Sequence, residues 1–114
     1  MNLAVAVYRM TSIFPTEERF GLTAQMRRAA VSVGSNIAEG CGRRGNRELL
    51  QFLYIASGSA SELAFQLQLP CSLGFGEEAT ADATRTELLV LQRMLNRLTQ
   101  HLATRPTARR RAKD

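Results

Sequence analysis

"AEGCGRRGNRE", residues 38–48, can be read in two ways, and each implies a different architecture. Gly40, Gly42 and Gly45 fall in the spacing G-x-G-x-x-G, the dinucleotide signature in which glycines let backbone approach a pyrophosphate at a helix N-terminus. That signature needs a strand before it, a helix after it and, roughly 20 residues on, an acid on a second strand for the ribose. Here the preceding segment has helical spacing. The acid at the right distance, Glu62, lies inside the apolar register of another helix. The glycines therefore read as a helix stop and a turn, with Asn46 as the N-cap of the next helix.

Working outward from that turn, four segments return apolar side chains to one face at alternating steps of three and four, the seam of packed helices. The first is short, with Leu3, Val7, Met10 and Phe14 in register, and stops where Pro15 disfavours helical geometry in the residue before it. The second runs from Thr16 or Glu17 to Gly40 through Leu22, Met26, Ala29, Val33 and Ile37, with Glu17 and Glu18 placed to complement its dipole. The third runs from Asn46 to Leu69 through Leu49, Leu53, Ala56, Ala60, Leu63 and Leu67, a rod of about 35 Å. The fourth spans Ala79 to Ala103 with Leu88, Leu91, Leu95, Leu98 and Leu102 as its stripe. The alternation in "AVSVG", residues 30–34, lies inside the second helical register and is not a strand. The fold class is all-α, an antiparallel up-and-down four-helix bundle over residues 1–104, followed by a disordered tail over 105–114.

The totals agree with one domain. A chain of 114 residues with 45% hydrophobic content can bury one core, and no apolar run is long enough for a membrane span. "MNLAVAVYRM" lacks a basic leader and a cleavage site, which makes the cytoplasm the expected compartment, with no membrane partner. Cys41 and Cys71 lack metal-ligand spacing and suit reduced, structural thiols. The net charge is +5, but Arg105, Arg109, Arg110, Arg111 and Lys113 against Asp114 place +4 of it in the last ten residues. Within the body, five arginines between Arg27 and Arg47 face one acid, Glu39. Arg43, Arg44 and Arg47 stand where free N–H groups and the dipole of the third helix favour an anion. They and the tail arginines Arg109, Arg110 and Arg111 are the candidate contacts for RNA, DNA or another anion. A solvated basic turn is the competing reading.

A polar stripe runs beside the seam. Gln25, Arg28, Ser32, Asn36 and Glu39 recur at helical spacing on the second segment, and Ser59, Glu62 and Gln66 on the third. With the turn centred on Arg43 and Arg44, residues whose numbers sum to about 87 lie side by side. Arg28 then falls level with Ser59 and Glu62 with Gln25, while Ala29 and Ala30 meet Ser57 and Gly58. An interior helical glycine costs about 1 kcal/mol against alanine, so Gly58 suggests close backbone approach there. The stripe is a structural network within or between subunits, a solvated boundary, or an active site, because charges near a seam must be paired if buried. No catalytic residue is legible. His101 stands alone near a helix end, no nucleophile has a base at recognisable spacing, and no Glu-x-x-His pattern supports a metal. No cofactor is implied. Tyr8, Tyr54 and the five phenylalanines sit at or near apolar helical positions and read as core or interface rather than as base-stacking platforms.

"VYRMTSIFPTEERFGLTAQMRRAAVSVGSNIAEGCGR", residues 7–43, followed by "ELLQFLYIASGSASELAFQL", residues 48–67, closely resembles a family of small bacterial proteins. Its members were first noticed as reading frames in intervening sequences of large-subunit ribosomal RNA genes, and they include the accessory subunit of diversity-generating retroelements. The resemblance covers residues 4–75. The motif positions it carries over are Gln25, Arg27, Arg28, Ser32, Asn36, Glu39, Gly40, Gly42 and Arg43, with Gly58, Ser59 and Glu62. It implies an antiparallel four-helix bundle assembled as a homopentameric ring. For the retroelement relatives it also implies a basic surface that engages nucleic acid and a reverse transcriptase. Two departures stand out. Members usually carry a longer stretch before the equivalent of "LAVAVYRM", so the first helix is short by comparison. Gly34 replaces a frequent proline, which removes a kink from the second helix. The arginine tail is no family hallmark.

Overall fold

The computed structural model describes residues 3–104. Helix α1 is Leu3–Thr11, α2 is Leu22–Cys41, α3 is Asn46–Gln66, a short α4 is Leu69–Leu73 and α5 is Glu78–Ala103. A 3-10 turn, Thr16–Glu18, precedes α2. Among the described residues there is no strand, and "AVSVG" lies within α2. Helix α1 packs on α2 and α5, and α3 packs on α2 and α5, so the four long elements enclose one core in chain order. That core joins Leu3, Val7 and Met10 of α1, Met26, Ala30 and Val33 of α2, Leu53, Ala56 and Leu63 of α3, and Leu88 and Leu95 of α5. Two buried threonine hydroxyls are satisfied within their own helices: Thr11 Oγ1 donates to the Val7 carbonyl at 2.8 Å and Thr84 Oγ1 to that of Thr80 at 3.0 Å.

Four local expectations change. Helix α2 starts at Leu22, because Gly21 leaves helical geometry at φ −103, ψ −110 and serves as the N-cap. Glu18 still reaches that end, its Oε1 accepting from the Leu22 N–H at 3.4 Å. Asn46 is the first residue of α3 rather than its cap; Gly45, extended at φ −96, ψ 146, holds the cap position and no side chain bonds there. Helix α3 ends at Gln66, and Pro70 lies in the first turn of the short α4, where its missing N–H costs nothing. On α5 the buried positions are Ala81, Thr84, Leu88, Leu95 and Thr99, while Leu98 is 42% exposed. Helix α2 runs unbroken through Gly34, where an added Cβ would meet nothing within 4 Å.

The pairing of α2 with α3 is antiparallel and displaced by one turn from the expected level. Ser32 Oγ and Ser59 Oγ share a hydrogen bond at 2.8 Å, and a Cβ at Gly40 would lie 2.9 Å from Phe52 Cβ and 3.0 Å from Leu49 Cδ1. Residue numbers across the seam therefore sum to near 90. The cause is the tilt of every Cα–Cβ bond toward its own helix N-terminus, which on α2 points away from the turn and on α3 toward it. Close approach consequently falls at Gly40. At Gly58 an added Cβ would meet nothing within 4 Å, which overturns the reading of that glycine as a packing device.

Candidate functional site

At the α2–α3 turn the backbone closes tightly. The Gly42 N–H reaches the carbonyls of Ala38 and Glu39, both at 3.2 Å, and the Arg43 N–H reaches that of Gly40 at 3.1 Å. With helix on both sides, the three glycines form a cap and a turn and no dinucleotide cradle. Arg43 Nη2 meets Glu39 Oε2 at 2.6 Å, and the Arg43 guanidinium lies 5.0 Å from the Phe52 ring centroid. Arg44 and Arg47 are exposed beside it. The other anion candidates, Arg109, Arg110 and Arg111, lie outside the described residues.

The polar stripe is gathered in part. Asn36 Nδ2 donates to the Ser32 carbonyl at 2.8 Å and to Ser32 Oγ at 3.1 Å, extending the Ser32–Ser59 bond into a three-residue cluster across the seam. Gln66 Nε2 donates to Glu62 Oε2 at 3.3 Å. Gln25, Arg28 and Glu62 line a shallow groove of about 350 Å³ with Ser32 and Ser59. Arg28 and Glu62 do not form an ion pair there, whereas Arg43 pairs with Glu39 and Arg85 with Asp82. Glu39 belongs to the turn rather than to this groove. Among the described residues no group of three or more His, Cys, Asp or Glu gathers as a metal site, and His101 is exposed in the last turn of α5. Cys41 is exposed at the end of α2, and the side chain of Cys71 lies outside the described residues.

A third region brings together residues that the sequence reading did not connect. Between α1 and the first half of α2 lies an open groove of about 710 Å³ lined by Tyr8, Phe20, Ala24, Val31 and three arginines, Arg19, Arg27 and Arg28. Phe20, expected in core or interface, is 89% exposed and Tyr8 is 46% exposed. Arg27 is fixed by Nε donating to Thr11 Oγ1 at 2.9 Å, and its guanidinium lies 4.4 Å from the Tyr8 ring centroid. Arg19 stands 5.9 Å from the Phe20 centroid. The signal that was available is the adjacency of Phe20 to Gly21: a glycine that breaks the helix leaves the preceding side chain off the Leu22–Met26 stripe.

The family model of the 23S rRNA-intervening sequence protein matches residues 1–97. Among solved structures, the chain is similar to a protein of unknown function from the S23 ribosomal protein family of Bacteroides thetaiotaomicron. That likeness has a TM-score of 0.77 at 19% identity over 87% of this chain and 93% of the other, and it speaks for the fold. No curated protein matches the chain.

Proposed function

The chain belongs to the 23S rRNA-intervening sequence protein family, and from that premise we propose that it is a non-enzymatic scaffold that assembles with itself and binds RNA or DNA through a basic surface. The observation that carries the nucleic-acid half is the placement of arginine along α2. Arg19, Arg27 and Arg28 line the groove at one end and Arg43, Arg44 and Arg47 follow the other. Arg28 and the end of α2 at Cys41, two residues before Arg43, are separated by about 20 Å of helix rise, a span that a strand of several nucleotides can follow. Phosphate contact of this kind releases counterions, so affinity falls steeply with salt. A filter-binding titration with no retention at low salt ends this half of the reading.

Self-assembly is supported by two separate exposed apolar stripes, Val90, Met94 and Leu98 on α5 and Tyr54 and Phe65 on α3. Contact between two different stripes is heterologous, and heterologous contacts form a ring where the rotation between subunits closes and an open filament where it does not. The pentameric number rests on the family resemblance, as does a reverse transcriptase as partner. No helix among the described residues is long and apolar enough to cross a membrane. Light scattering that reports a stable monomer removes the assembly half.

The competing reading is a pure protein-interaction module whose turn and polar stripe make subunit contacts. It is favoured by the Arg43–Glu39 pair, which neutralises part of the turn's charge. The double variant Arg43→Glu, Arg44→Glu separates the two: loss of assembly favours the module, and weakened nucleic-acid binding with the oligomer intact favours the scaffold.

A further inference from the structure

The groove between α1 and α2 differs from an ordinary hydrophobic docking cleft in its charge. Its lining contains three guanidinium groups and no carboxylate. An apolar partner seated there would strip water from three cations without offering a counter-charge, which is costly. A partner that supplies both flat apolar surface and negative charge avoids that cost. Unpaired nucleotides do so, because aromatic rings and guanidinium planes stack on bases while arginine binds phosphate.

The neighbouring surface fits the same partner. A second, polar hollow of about 250 Å³ shares Arg19 and Arg27 with the groove and is lined also by the hydroxyl residues Thr11, Ser12, Thr16 and Thr23. An aromatic shelf thus adjoins a polar ledge whose donors are the guanidinium groups and the hydroxyls of Thr16 and Thr23, those of Thr11 and Ser12 being given to the Val7 and Arg9 carbonyls. Arg27, held by Thr11, sits against Tyr8 and pre-sets that ring. Tyr8 also brings a hydroxyl, a neutral donor and acceptor suited to a ribose 2′-OH.

We propose that the groove formed by Tyr8, Phe20, Val31 and Arg19, Arg27 and Arg28 is a base-stacking site for single-stranded RNA. This rests on the reading of the chain as a nucleic-acid-binding scaffold and assigns the base contacts to one end of α2, with the turn arginines as phosphate contacts only.

The chain contains no tryptophan, so Phe20→Trp installs a single indole at the site, excited selectively beyond the tyrosine band. Phe20 is 89% exposed, so its replacement leaves the core untouched. Titrating this full-length variant with a single-stranded RNA oligonucleotide should quench the indole and retain affinity, whereas the duplex of the same sequence should not quench it. Phe20→Leu and Tyr8→Ala should each weaken single-strand binding about tenfold with circular dichroism and oligomer size unchanged. Arg28→Gln should flatten the dependence of log K on log salt by about 0.7. If wild-type protein binds but Phe20→Leu binds equally and the indole is not quenched, the stacking site is overturned while the scaffold reading stands. If wild-type protein binds no RNA at low salt, both fall. If Phe20→Leu disrupts the oligomer and keeps RNA affinity, the groove is a subunit contact and the proposal is wrong.

Discussion

The two ends of α2 carry the same residue types and present them in opposite states. At the C-terminal end, Arg43 is tied to Glu39 and laid on Phe52, and Gly40 lets α3 come so close that a methyl group would not fit. At the N-terminal end, Arg19, Arg27 and Arg28 line an open groove without an acid, beside Tyr8 and the almost fully exposed Phe20. The number of arginines in a segment therefore says little about its partners. What decides is whether the fold also brings a carboxylate and a covered ring to them.

The closed end breaks most easily. Leu53 is fully buried between α2 and the rest of the core, and Leu53→Ala should cost about 2–5 kcal/mol, visible as a lower denaturant midpoint. Gly40→Ala comes next. The new Cβ would lie 2.9 Å from Phe52 Cβ, and the crowding should outweigh the gain in helix propensity by about 1–2 kcal/mol. Gly58→Ala is the control on the same seam and should act in reverse, raising stability by about 0.5–1 kcal/mol because the site is open and helical. Equal effects at the two glycines would show that the displaced register is wrong. The smallest effects belong to the surface. Glu39→Gln removes one partner of a pair whose side chains are both close to half exposed, so stability should move by less than about 0.5 kcal/mol while the turn gains one positive charge toward RNA. Phe20→Leu should also leave thermal stability within about 0.5 kcal/mol, so that its loss of RNA affinity can be read without correction for unfolding.

Most of the bundle was legible because burial imposes period. Leu3, Val7 and Met10, then Met26, Ala29 and Val33, then Leu49 through Leu67 stand in the sequence at helical spacing and are buried in the structure. The register between α2 and α3 was legible only to within one turn, since it depends on the direction of Cα–Cβ bonds as well as on where the turn sits. Leu98 was placed in the core by spacing alone, although Thr84 and Thr99, polar in sequence, take buried positions by bonding their hydroxyls back to their own helix. The polar stripe was visible as a pattern, and its hydrogen bonds among Ser32, Asn36 and Ser59 needed the register to be known. The groove was the least legible part. It joins residues from α1, the 3-10 turn and α2, and Phe20 leaves the helical register at Gly21, where pattern reading had continued the helix.

Whether the protein binds RNA through the arginines along α2 is decided by a salt titration of RNA affinity on the wild-type protein. Measurable binding of a single-stranded oligonucleotide at low salt is expected, with log K falling linearly against log salt at a slope of about −0.7 for each phosphate neutralised. Absence of binding at low salt, or binding indifferent to salt, would contradict it.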